Sequence, residues 1–194
     1  MGVKTDFLNV IFMNDLLYVT EKHKVILNYL SANELKNKKI LDVGSGRNKI
    51  GSVSIDIDKS HKPDFVVDVQ KDKFPFKENE FDVIILSDVL EHLDCPEKSL
   101  TECRRVLKKN GKMIITIPNS NNILFKLGIW NQAVKTGNEH KKFWGKKDFT
   151  EFLSKQGLRV SLFKPTYYFR GNNFLISLFP DRLAFCLFFV AEVV

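Results

Sequence analysis

The sequence predicts an α/β domain, a mostly parallel sheet covered by helices. Three observations carry that expectation. Short apolar runs at Ile40–Val43, Val53–Ile57, Phe65–Val69, Phe81–Leu86 and Lys112–Ile117 are hydrophobic at successive positions, as strands buried on both faces require. Between the last two runs, Leu100, Cys103 and Leu107 share one helical face. That helix is opened by Asp94-Cys95-Pro96-Glu97, a capping box with proline in the first turn, and stopped by Gly111. The third is size and composition: 194 residues, 44% hydrophobic and 27% charged, suit one globular domain rather than two domains or a disordered tail.

The remaining elements follow in order. Phe7, Leu8, Val10, Ile11, Phe12, Leu16 and Leu17, then Val25, Ile26, Leu27 and Leu30, recur with helical spacing and predict two helices ahead of the core. After Pro118 come a polar loop (Asn119 to Asn122), a helix around Ile123–Trp130, a basic loop, and a helix from about Lys147 to Gln156 stopped by Gly157. The apolar runs Arg159–Phe163 and Ala184–Val193 flank a segment around Asn172–Phe179 and are expected to close the sheet as an antiparallel pair. The second run is apolar on both faces and so belongs inside the sheet. The chain then divides into an N-terminal extension (1–36), a core (37–120) and a C-terminal part (121–194), with no repeat or linker between them.

Charge and cysteine usage narrow the setting. Thirty Lys+Arg against 23 Asp+Glu give +7 and a pI near 9.2, a bias toward anionic partners. Much of the surplus is scattered lysine pairs (Lys38-Lys39, Lys108-Lys109, Lys141-Lys142, Lys146-Lys147), which a solvated surface explains. Three dispersed cysteines, Cys95, Cys103 and Cys186, form no C-x-x-C pair and suit a reducing, cytoplasmic compartment. The first residues lack the features of a signal peptide, and the most apolar stretch, Leu183–Ala191, is shorter than the roughly 20 residues of a membrane span.

The unusual residues cluster where strands end, which is where open α/β sheets bind ligands. Ile40-Leu41-Asp42-Val43 runs into Gly44-Ser45-Gly46, a turn that lets backbone approach a ligand with no Cβ in the way. Asp42 lies among apolar neighbours and needs a donor or a cation. The second run ends Asp56-Ile57-Asp58, where an acidic residue suits the hydroxyls of a ribose, and the third ends Val67-Asp68-Val69, suited to the edge of an adenine.

In order along the chain, Leu41-Asp42-Val43-Gly44-Ser45-Gly46, the acidic end of strand two, Asp68, the segment Phe74-Pro75-Phe76 through Phe81-Asp82-Val83-Ile84, Leu90-Glu91-His92-Leu93 and Arg105-Val106-Leu107-Lys108 resemble the motifs of class I S-adenosylmethionine-dependent methyltransferases. The resemblance spans about Lys39 to Asn119 and more faintly reaches the end. It implies a Rossmann-like three-layer sandwich with a seven-stranded sheet and an antiparallel C-terminal strand. It also implies that Gly44, Ser45 and Gly46 pass the methionine end of S-adenosylmethionine and that Asp42 holds its ammonium. Asp56 would take the ribose, with Asp58 as second choice beside Ile57. Asp68 and Val69 would meet adenine, and Ser87 would border cofactor and acceptor. One departure stands out: only Arg47 to Ser52 separate Gly46 from Val53, too few for the usual crossover helix, which must be missing or reduced to a turn. The same gap, with no third glycine, argues against a dinucleotide dehydrogenase.

For the transfer itself, His92 and His140 are the candidate bases, ahead of His23 and His61. Asp88, Glu91 and His92 share a helical face at i, i+3 and i+4. With His140 they could hold Mg²⁺ or Mn²⁺, a pattern similar to the metal site of certain quinone-biosynthesis O-methyltransferases and of methyltransferases acting on the 3′-terminal ribose of small RNAs. The competing and preferred reading is a capping box, Asp88 as N-cap with Glu91 at the third position and no metal. The acceptor is expected to be a small molecule or a lipid- or quinone-like intermediate, drawing on the 17 phenylalanines. RNA tracking along the basic loop Lys135–Lys147 with Trp144, a non-catalytic cofactor-binding role, and membrane contact through Phe174–Phe179 with Arg170 and Arg182 are the alternatives.

Overall fold

The computed structural model describes residues 22–33, 35, 37–126, 140–167 and 180–194. Its sheet has seven strands: β1 (Ile40–Val43), β2 (Val53–Asp56), β3 (Phe65–Val66), β4 (Phe81–Ser87), β5 (Leu107–Pro118), β6 (Leu158–Thr166) and β7 (Cys186–Val193). Across the sheet the order is β3-β2-β1-β4-β5-β7-β6. The first five strands run parallel, and β7 lies antiparallel between β5 and β6. The helices are α1 (described over 22–32), α2 (Pro96–Val106), α3 (Ile123–Lys126) and α4 (Lys146–Lys155).

Side-chain alternation along the central strands sorts the core into two layers. Leu41, Val43, Ile84, Leu86, Met113 and Ile115 face the side covered by α2 and α4, through Leu100, Cys103, Val106, Phe149 and Leu153. On the opposite face Ile40, Val83, Ile85 and Ile114 meet α1, whose Ile26 and Leu30 are buried there with Phe188 and Val190. Asp42 follows Ile40 at the strand period of two, so it shares the face that α1 covers. That placement decides what surrounds it.

No helix joins β1 to β2. The short link instead lies back against β1. Ser52 Oγ donates to the Ile40 carbonyl and accepts from the Ile40 N–H, each at 3.0 Å. Gly51 presses on the same strand: a Cβ there would stand 2.9 Å from the Ile40 oxygen and the Asp42 nitrogen, so only glycine permits the approach. Ser54 and Asp64 then tie β2 to the segment before β3, Asp64 Oδ2 accepting from the Ser54 N–H at 2.7 Å and its hydroxyl at 2.9 Å.

Four expectations need correction. The Phe65 run has the pattern of a buried strand, yet Phe65 and Val66 are exposed, because β3 is the sheet edge. Gly111 does not stop α2. The helix ends at Val106 and the chain enters β5 at Leu107, so Gly111 lies inside a strand, where a Cβ would strike Leu107 Cδ1 at 2.5 Å. Asp94 does not cap α2 either. Cys95 holds the cap position with no side-chain bond, and Asp94 pairs with Lys141 at 2.6 Å. Finally, Asp88 caps nothing. It adopts φ +54 just after β4, and its carboxylate bonds Lys22 and Thr116, while the 3₁₀ turn Leu90–His92 has no side-chain cap. In both capping cases a distant lysine outcompetes the local backbone N–H groups. The first expected helix, the segment around Asn172–Phe179 with its membrane contact, and residues 135–139 of the basic loop lie outside the described residues.

The Phe74-Pro75-Phe76 and Arg105 motifs are explained by support of the fold. The Arg105 guanidinium donates to the Phe74 and Phe76 carbonyls at 3.0 and 2.8 Å, and Glu102, paired with Arg105, accepts from the Phe74 N–H at 2.8 Å. This clamps the loop before β4 onto α2 and buries Phe74.

Candidate active site

A cleft of about 200 Å³ opens at the carboxyl ends of β1 and β4. Asp42, Gly44, Ser45, Gly46 and Ser87 line it, as expected from the sequence. Gly44 has φ +64 and Gly46 φ +56, left-handed conformations that favour glycine, and the turn is held by the Gly44 N–H donating to the Ile55 carbonyl at 2.8 Å. Asp42 is buried, and its Oδ2 accepts from the N–H groups of Ile50 and Gly51 at 2.7 and 3.3 Å. Burial nevertheless dominates and pushes its pKa up to about 6. A buried carboxyl near its titration point welcomes a cation.

The remaining predicted cofactor residues stand differently. Asp56 is behind the glycine turn rather than on the cleft wall: one carboxylate oxygen accepts from the Gly46 N–H and the other from the Asp58 N–H, both at 2.8 Å. Asp58 is the more exposed of the two acids, and its bonds to Ser60 hold its pKa below the usual carboxylate range. His61 stands between them, 3.4 Å from each. Ile57 projects outward, 66% exposed. Asp68 accepts from Gln70 N–H at 3.0 Å and pairs with Lys71 at 2.8 Å, and Val69 packs on the core; neither lines the cleft.

Sequence reasoning missed Lys22, His23, Arg47, Asn48 and Ile50, which complete the wall. Lys22 and His23 come from α1, so nothing near the glycine turn could have flagged them.

A second, much smaller cavity of about 30 Å³ adjoins the end of β5 and is lined among others by Glu91, Asn119, His140, Phe143 and Trp144. The His92 and His140 rings lie 4.8 Å apart. Glu91, His92 and His140 each place a ligand-capable atom within 4.8 Å of the others; Asp88 stands outside the trio. Glu91 is fully buried, and neither carboxylate oxygen has a hydrogen-bond partner among the described residues. Burial, and then the neighbouring Asp88, raise its carboxyl well above the usual range. The His140 pKa is lowered by burial and by His92, which keeps the ring neutral and able to accept a proton. A polar chain links two residues of the first cleft: Ser87 Oγ lies 3.1 Å from Thr116 Oγ1, the Thr116 hydroxyl donates to Asp88 at 2.9 Å, and Asp88 pairs with Lys22 at 2.8 Å.

Residues 50–115 match the family model described as a methyltransferase domain. That stretch is about a third of the chain, and the seven-stranded fold around it is shared by solved methyltransferases. The fold is similar to that of two solved structures. One is a SAM-dependent methyltransferase from Archaeoglobus fulgidus (16% identity, TM-score 0.60, covering 87% of this chain and 93% of that one). The other is the 1,6-didemethyltoxoflavin-N1-methyltransferase of Burkholderia thailandensis, solved with 1,6-didemethyltoxoflavin and S-adenosylhomocysteine (12% identity, TM-score 0.63, covering 99% and 87%). Among curated relatives, an uncharacterised protein of Methanocaldococcus jannaschii is 31% identical over 94 residues, 48% of this chain and 46% of that protein. The match thus spans under half of that relative's length.

Proposed function

We propose that this chain is an S-adenosylmethionine-dependent methyltransferase that binds its cofactor in the cleft at β1 and β4 and transfers the methyl group to a small-molecule or lipid-like acceptor held beside it. The observation that carries this reading is the cleft where buried Asp42 and the left-handed Gly44–Gly46 turn meet Ser87 at the end of β4. Transfer from a sulfonium is an in-line displacement, so the protein mainly aligns donor and acceptor. Asp42 faces the ammonium, the Gly44–Gly46 turn passes the sulfonium end, exposed Asp58 receives the ribose with Asp56 holding the turn behind it, and exposed Ile57 covers one face of the adenine. His140, kept neutral, takes the acceptor proton where one must leave, with His92 beside it. Trp144 favours a small acceptor over RNA: its ring stacks on Phe152 at 5.2 Å and packs against Phe149, so it is not offered to a base. Metabolite profiling with a labelled methyl donor tests the assignment. Labelled product that disappears in His140→Ala supports it, whereas cofactor binding without any labelled product leaves the non-catalytic binding role standing instead.

A second reading has its own observation. The orphaned, buried Glu91 beside His92 and His140 fits a divalent cation, and with Asp88 engaged elsewhere the ligand set is one oxygen and two imidazole nitrogens. A bound ion would supply Lewis-acid polarisation of an acceptor oxygen. Titration of metal-stripped protein with Mn²⁺, followed by electron paramagnetic resonance, is expected to report one bound ion that Glu91→Gln and His140→Ala release. A spectrum of free Mn²⁺ alone in the wild type rejects this reading.

A further inference from the structure

We propose that the mouth of the cavity at the end of β5 is a membrane-docking surface: Phe143 and Ile123 enter the headgroup layer of an anionic bilayer, and Lys126 and Lys142 pair with its phosphates. What this adds about the acceptor rests on the reading above, in which the acceptor meets His140; that acceptor is then lipid-like and drawn from the bilayer.

Two large apolar side chains are exposed where two segments meet beside the cavity. Phe143 lines the cavity and is 57% exposed, although its ring also meets that of His140 at 6.1 Å. Ile123 is 39% exposed and directly follows Asn122, which lines the same cavity. The segments that carry them are joined. The Ser120 N–H donates to the Trp144 carbonyl at 3.1 Å, and Gly145 lies so close to the Asn121 side chain that a Cβ there would overlap it. Basic residues flank the apolar pair: Lys142 lines the cavity next to Phe143, and exposed Lys126 shares a helical face with Ile123 at i, i+3. Such a patch suits an interface, because its apolar part gains by leaving water while its lysines are drawn to anionic headgroups. No helix among the described residues is long and apolar enough to cross a membrane, so the contact made here is with its surface.

Other occupants fit this face less well. A second copy seated on it by two-fold symmetry sets Lys126 and Lys142 of each chain against like charges. RNA suits the lysines, but Ile123 offers no ring for a base to stack on, and Trp144 is already stacked on Phe152.

Co-sedimentation with vesicles tests the surface. The wild type is expected to bind phosphatidylcholine vesicles containing about 30% phosphatidylglycerol more than about tenfold more tightly than pure phosphatidylcholine, a difference that shrinks at high salt. Phe143→Ser/Ile123→Ser should weaken binding about tenfold, and Lys126→Gln/Lys142→Gln should remove most of the preference for anionic vesicles. Val66→Ser, which alters an exposed apolar residue on the β3 edge instead, should leave binding unchanged. A wild type that is not retained, retention that survives Phe143→Ser/Ile123→Ser, or binding of single-stranded oligouridylate that this double variant loses overturns the proposal. Vesicle binding needs no turnover, so the two readings fail separately. Labelled product without vesicle binding removes the docking surface alone, whereas bound wild type that forms no labelled product removes the acceptor reading and leaves the surface in place.

Discussion

Gly44→Val is expected to abolish S-adenosylhomocysteine binding, weakening it by more than about 100-fold, and to destabilise the protein by about 2–4 kcal/mol. Two causes add. The residue sits at φ +64, which a β-branched side chain adopts only under strain, and a Cβ there would stand 2.7 Å from Val89 Cγ2. Val89 cannot retreat easily, since it is packed in the core between the Asp88 turn and Leu90. The strand-to-turn exit of β1 must therefore shift, and the cleft wall with it. Gly46→Ala is the informative contrast: its φ is +56, but nothing among the described residues lies within 4 Å of the added Cβ, so its stability loss should be confined to about 1 kcal/mol of backbone strain. Thermal denaturation and titration on the same samples separate the two effects.

The second large effect is a pH dependence of cofactor affinity set by Asp42. Its carboxyl titrates at about 6 in the folded protein, against 3.8 for an exposed aspartate. Because the folded value is raised, the carboxyl's contribution to stability is fully present below about pH 3.8 and is lost as pH rises through about 6, a cost on the order of 3 kcal/mol at neutral pH relative to an uncharged isostere. An ammonium beside the ionised form relieves that cost and lowers the carboxyl pKa in the complex. Affinity for S-adenosylhomocysteine should thus rise about tenfold per pH unit up to about pH 6 and level off above it. Asp42→Asn should flatten the profile and remove most of the neutral-pH affinity while raising stability at pH 7. A profile through pH 6 that is equally steep in Asp42→Asn would assign the titration to another group.

Local hydrophobic pattern was enough for most of the sheet, because strands buried on both faces leave continuous apolar runs, such as Val83 to Leu86 in β4 and Cys186 to Ala191 in β7. The antiparallel placement of β7 and the missing crossover helix were legible too. The first is what the resemblance of the strand-end motifs implies, with the two apolar runs as its candidates, and the second follows from the short spacing between Gly46 and Val53.

What failed were inferences about polar groups. Asp88 and Asp94 look like local caps, but each is taken by a lysine far away in sequence, Lys22 and Lys141, and no local pattern encodes such a pair. The start of β5 was hidden because Lys108, Lys109 and Asn110 are polar, and a register shift between Phe81 and Val83 lets that stretch pair at the sheet's end. The glycine turn and Asp42 were legible because one short segment builds them. Lys22 and His23 were not, since they reach the cleft only once α1 has docked.

Calorimetric titration of the wild-type protein with S-adenosylhomocysteine at pH 7 tests the cofactor site most directly. Saturable binding of one ligand per chain, lost in Gly44→Val, is the expected result. A folded wild type that takes up no ligand, or binding that is equally tight after that substitution, would contradict it.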